Sequence, residues 1–118
     1  MLQIEQVISE AYNWILKISE QYQDILKINI QKYVITADKK ILMVDFENHN
    51  YIAQLIINND IDMKPYKFCE FRILDVNQDI YQEDAYCYWD NVNSNIEEIL
   101  EGLNNGLKIL LLTEIFIN

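Results

Sequence analysis

"KINIQKYVITADKKILMVDFENHNYIAQLII" (residues 27–57) decides the fold. Its apolar residues recur every second position, the period of a strand with one buried face. "KINIQKYVI" (27–35) reads as a strand with Ile28 and Ile30 on one side. "TADKK" is a polar turn, and "ILMVDF" (41–46) is a second strand with Leu42, Val44 and Phe46 on a common face. "ENHN" (47–50) is a hairpin connection, and "YIAQLII" (51–57) is a third strand with Tyr51, Ala53, Leu55 and Ile57 together.

The period is different before and after this region. Over residues 2–26, Ile4, Val7, Ile8, Ala11, Trp14, Ile15, Ile18, Tyr22 and Ile25 recur at spacings of three and four, which predicts a long amphipathic helix. Downstream, "NNDIDMKP" (58–65) is a loop with the only proline. "YKFCEFRIL" (66–74) is a fourth strand whose Cys69, Phe71 and Ile73 face the core. "DVNQDIYQED" (75–84) is an acidic connection, and "AYCYWD" (85–90) is a fifth strand. In that last strand Ala85, Cys87 and Trp89 suit a core, whereas Tyr86, Tyr88 and Asp90 suit a wet face. Ser94 with Glu97 three residues on forms a capping box for a C-terminal helix carrying Ile96, Ile99, Leu100, Leu103, Leu107, Leu110 and Leu111. Gly102 and Gly106 weaken that helix by about 1 kcal/mol each, a cost tolerated where a backbone or bulky side chain must come close.

The predicted architecture is α+β: an N-terminal helix, a five-stranded antiparallel meander sheet and a C-terminal helix, with both helices packed on one face of the sheet. With 118 residues the chain forms a single domain, residues 1–118, large enough for its own core. Cys69 and Cys87 lack metal or redox spacing and read as free buried thiols. "MLQIEQVISE" lacks the basic start of a secretory leader and "ILLL" (109–112) is too short to cross a bilayer, so the expected setting is the cytoplasm.

Net charge is −10, and its distribution is uneven. Residues 1–72 hold ten acids and eight bases, while residues 73–107 hold eight acids and no base. Such a segment repels nucleic acid and anionic membrane and attracts a basic partner. It also serves as a solubilising surface. Two tyrosines beside these acids add the large, low-entropy contact area that favours interfaces. The expected partner-binding patch is therefore Asp75, Asp79, Glu83, Asp84, Tyr86, Tyr88 and Asp90.

Catalytic and metal chemistry find little purchase. Asp75, Asn77 and Asp79 match the first half of a calcium loop, but Ile80 replaces the turn glycine and Tyr86 the bidentate glutamate. His49 is the only histidine, two glycines cannot build a phosphate loop, and no nucleophile has a triad context. No cofactor, metal site or enzymatic activity is expected, and no nucleic-acid partner, because the nine bases are scattered.

"YCYWDNVNSNIEEILEGLNNGLKIL" (86–110), an aromatic terminal strand followed by an Asn-rich turn and helix, resembles small acidic α+β immunity proteins of bacterial polymorphic and contact-dependent toxin systems. The resemblance implies a monomer that binds a cognate toxin domain, often a basic nuclease or RNase, in a one-to-one complex and blocks it. The rival class is the type III-like secretion chaperone, which binds an effector segment as a homodimer. Its usual layout interrupts the strands with a central helix, for which "NNDIDMKP" is too short.

Overall fold

A computed structural model describes residues 2–60, 64–77 and 84–116, with side chains of the final helix described through residue 112. The elements follow in the expected order. Helix α1 (Ile4–Gln21) leads into strands β1 (Lys27–Ile35), β2 (Lys40–Glu47), β3 (Tyr51–Asn58), β4 (Cys69–Asp75) and β5 (Tyr86–Trp89), and helix α2 (Ile96–Phe116) closes the chain. The strands form one open antiparallel sheet in the order β1-β2-β3-β4-β5. Both helices lie on the same face: α1 packs on β2 and β3, and α2 on β4 and β5.

The covered face is built in rows set by strand register. Ile28, Phe46, Ala53, Ile73 and Tyr86 form one row; Ile30, Val44, Leu55, Phe71 and Tyr88 form the next. Phe46 and Phe71 sit 5.3 Å apart between ring centroids, and Trp14 of α1 packs on both. Each such fully buried side chain stabilises the fold by about 1.5–3 kcal/mol. The indole N–H of Trp14 donates to Asn104 Oδ1 at 2.8 Å, joining the helices where their apolar contact ends.

The two glycines of α2 mark its closest approach to the sheet. A Cβ on Gly102 would stand 2.5 Å from the Tyr88 ring, and one on Gly106 2.5 Å from Phe71 and 3.1 Å from Tyr86. Four helical residues rise about 6 Å and two strand residues about 6.7 Å. The i, i+4 glycines therefore keep step with the i, i+2 tyrosines, and the expected bulky neighbours are aromatic rings.

Several boundaries move for local reasons. Helix α1 stops at Gln21, and a turn anchored on the Tyr22 carbonyl follows, burying Leu26 and leaving Ile25 exposed. Asn95, not Ser94, caps α2: its Oδ1 accepts the Glu98 N–H at 2.8 Å, while Ser94 Oγ accepts the Asn91 N–H in the preceding turn. β4 starts at Cys69 because the N–H groups of Lys67, Phe68 and Cys69 converge on the Asp90 carboxylate.

The largest correction concerns β5. Register pairs Tyr88 with Phe71 and Tyr86 with Ile73, so both tyrosines lie under α2, and Cys87 and Trp89 face outward. The expected assignment of the two faces is reversed. The cause is spatial: α2 offers glycines, which leave room for rings that an alanine-bearing helix would exclude. Cys69 is buried and free, whereas Cys87 is free and exposed, contrary to the expectation of two buried thiols.

Candidate functional site: the uncovered face of the sheet

Neither described helix packs on the second face of the sheet. Register sets three rows across it. Lys27, Glu47, Ile52 and Leu74 form the first; Asn29, Asp45, Gln54, Arg72 and Cys87 the second; Lys32, Met43, Ile56, Glu70 and Trp89 the third. A groove of about 530 Å³ runs over this face from Lys27 to Leu74. Ile52, Leu74 and Trp89 are exposed here, Trp89 to 44%. Ile41, at one end of the face, is buried outside the main core.

Polar side chains on this face are held in place. Glu70 Oε2 accepts the Trp89 indole N–H at 2.6 Å and lies 3.5 Å from Arg72 Nη2. Arg72 Nε lies 3.0 Å from Asp84 Oδ2. Gln54 donates to Asp45 Oδ1 at 3.0 Å. The result is a fixed line of indole, carboxylate, guanidinium and carboxylate across β5, β4 and the segment before β5. A hydrogen bond with Cys87, and then the charges of Glu70 and Asp84, raise the Arg72 pKa above its ordinary value, although burial opposes them. Burial pushes the Cys87 thiol up, and Arg72 pulls the other way.

The five described residues of the expected patch do not gather on one surface. Asp84 stands at the border of the open face, paired with Arg72. Asp75 ends β4, half-buried, and its Oδ1 accepts the Asn77 N–H at 2.9 Å, a local turn. Asp79 and Glu83 lie outside the described residues, as does half of the calcium-like stretch 75–86. Tyr86 donates to the Gly102 carbonyl at 2.6 Å. Tyr88 lies against Gly102, and burial lifts its phenol to about 12, with Ser94 opposing. Asp90 is only 2% exposed. Its Oδ1 accepts three backbone N–H groups at 2.8–3.0 Å, and its Oδ2 has no hydrogen-bond partner among the described residues. Tyr86, Tyr88 and Asp90 are thus parts of the covered side: a carboxylate with three backbone donors locks the β5 end to the β4 start.

Glu70, Arg72 and Trp89 are the residues that the sequence reading missed. Their signal was the outward half of the alternation in "CEFRILD" (69–75), charged at both Glu70 and Arg72. Register carries that outward phase onto Cys87 and Trp89. Among the described residues no cluster of three or more His, Cys, Asp or Glu side chains has metal-binding geometry, and His49 stands exposed in the β2–β3 turn. No described helix is long and apolar enough to cross a membrane.

No protein-family model matches the chain, and neither a curated protein nor a solved structure is significantly similar to it.

Proposed function

We propose that this chain is a cytoplasmic immunity protein: it binds a cognate toxin domain, a basic nuclease or RNase, one to one and blocks it without catalysis. The observation that carries this reading is the uncovered sheet face. An exposed indole and a guanidinium are fixed there by Glu70 and Asp84, on one side of the exposed pair Ile52 and Leu74. Trp and Arg are the side chains that most often dominate binding energy, and immobilised ones lose little entropy on association. Asp45, Glu47, Glu70 and Asp84 outnumber Lys27, Lys32 and Arg72 on and around this face by one, which suits a basic partner and speeds its encounter. The contact surface therefore moves from the tyrosines to Trp89, Arg72, Ile52 and Leu74, with Asp84 retained.

Co-expression with the C-terminal domain of the protein encoded beside it, followed by native mass spectrometry, tests the reading. The expected result is a one-to-one complex and growth rescued from that domain's toxicity. A two-to-one complex with a non-toxic segment of a secreted protein would establish a chaperone instead. Absence of any complex would leave the acids as a solubilising surface and overturn the proposal.

A further inference from the structure

The β1 edge differs from the rest of the molecule in charge and in form. β1 pairs only with β2, so the outward-pointing N–H and C=O groups of its nine residues are free of any strand. In a chain of net charge −10, residues 27–40 carry Lys27, Lys32, Lys39 and Lys40 against one acid, Asp38. Lys40 lies 3.5 Å from Glu5, whereas Lys27 and Lys32 form no ion pair with any described residue. Register places Lys27 and Lys32 on the uncovered face and Ile30, Tyr33 and Ile35 on the helix side. The helix-side row is only partly covered: Tyr12 packs edge-on against Tyr33 at 4.8 Å, yet Tyr33 stays 47% exposed, and Ile30, Ile35 and Leu16 are exposed too.

A strand added here would meet lysines on one side and an apolar row on the other. We infer that β1 is a docking edge for an extended peptide segment in which acidic and apolar residues alternate, bound as a sixth strand. Backbone hydrogen bonds supply affinity, and alternate side chains read the two rows. Acids of the ligand face Lys27 and Lys32; its apolar residues cover Ile30, Tyr33 and Ile35. A second copy of this chain fits worse. Antiparallel self-pairing about Gln31 sets the bulge between Ile30 and Lys32 against its twin and makes the two Lys32 side chains diagonal neighbours of like charge. Edge lysines and a bulge are also the usual guards against self-association. This edge shares Lys27 and Lys32 with the uncovered face, but its free backbone groups and the row Ile30, Tyr33 and Ile35 lie outside the proposed toxin contact of Trp89, Arg72, Ile52 and Leu74, so the peptide test does not depend on that reading.

The test is fluorescence anisotropy with a labelled peptide of about eight residues alternating Glu and Val, the length of an ordinary strand. Its controls are a peptide of the same composition with the residues in two blocks and an alternating peptide N-methylated at every second amide. The alternating peptide is expected to bind at least about tenfold tighter than either control, and the K27Q/K32Q variant, which sets no like charge against Glu47, to lose about tenfold in affinity with little change in melting temperature. Equal binding of the block peptide would reduce the edge to non-specific charge attraction and overturn the proposal. So would indifference to N-methylation, no binding at all, or a native mass showing two copies joined with protected β1 amides. The two peptide controls decide the matter even where the double variant fails to fold.

Discussion

The two faces of one sheet are made from the same strands and obey opposite rules. On the covered face each polar group has a fixed use: the Tyr86 hydroxyl holds Gly102, the Trp14 indole holds Asn104, and Asp90 gathers three N–H groups. On the uncovered face an indole, an arginine and two aliphatic side chains stand in solvent, and the hydrogen bonds there orient groups without burying them. Groups immobilised without being buried add little to folding stability. In the proposed reading they are arranged for a partner. The difference teaches that burial, and not residue type, separates the scaffold from the candidate surface: the tyrosines belong to the scaffold and the tryptophan to the surface.

Substitutions can break this division. Asp90→Ala is expected to have the largest effect. It leaves the Phe68 and Cys69 N–H groups without that acceptor, while the Lys67 N–H keeps the backbone carbonyl of position 90, and should cost about 2–3 kcal/mol, whereas Asp90→Asn, which keeps one oxygen, should cost about half as much. Urea denaturation of both variants measures this; equal, small losses would mean that the β5 end is not anchored through Asp90. Next comes Gly106→Ala. Helix propensity alone predicts a gain of about 1 kcal/mol, but the Phe71 ring stands 2.5 Å from the new methyl, so a net loss of about 1–2 kcal/mol is expected. A stabilised protein would contradict the close approach of α2.

Alkaline pH gives a smaller and more local effect. The folded state holds the Tyr88 phenol neutral up to about pH 12, against an ordinary value near 10. Its contribution is fully present below pH 10 and disappears as pH rises through 12. Burial also pushes the Cys69 thiol well above its ordinary value near 9, so loss begins somewhat earlier. Tyr88→Phe should flatten the fall in melting temperature between pH 10 and 12; an unchanged slope would place the loss elsewhere. The smallest stability effect belongs to the other face. Trp89→Ala and Arg72→Ala should each shift stability by less than about 1 kcal/mol while weakening partner binding by about 2 kcal/mol or more. Calorimetry on the free protein and on the complex separates these.

Periodicity carried the fold. Strands 27–35, 41–46 and 51–57 and the stripe Ile4–Val7–Ile8–Ala11–Trp14–Ile15–Ile18 appear where the sequence puts them, because each burial pattern follows from one period. β5 was ambiguous because "YCYW" is apolar on both sides and only four residues long, so alternation alone cannot say which half is inward. The deciding fact lies sixteen residues away, in Gly102 and Gly106, whose spacing admits rings. Asp90 looked like a surface acid for the same reason: its use depends on three N–H groups more than twenty residues earlier. Charge located an acidic segment, but charge along a chain does not reveal which acids are turned inward.

The most direct test of the central claim is hydroxyl-radical footprinting of the protein alone and in complex with the toxin domain. Trp89, Leu74 and Ile52 should lose most of their reactivity in the complex, while Tyr86 and Tyr88 keep the low reactivity they have in the free protein. Full reactivity at Trp89, with new protection confined to α2 or to the β5 tyrosines, would contradict the assignment of the uncovered face as the binding surface.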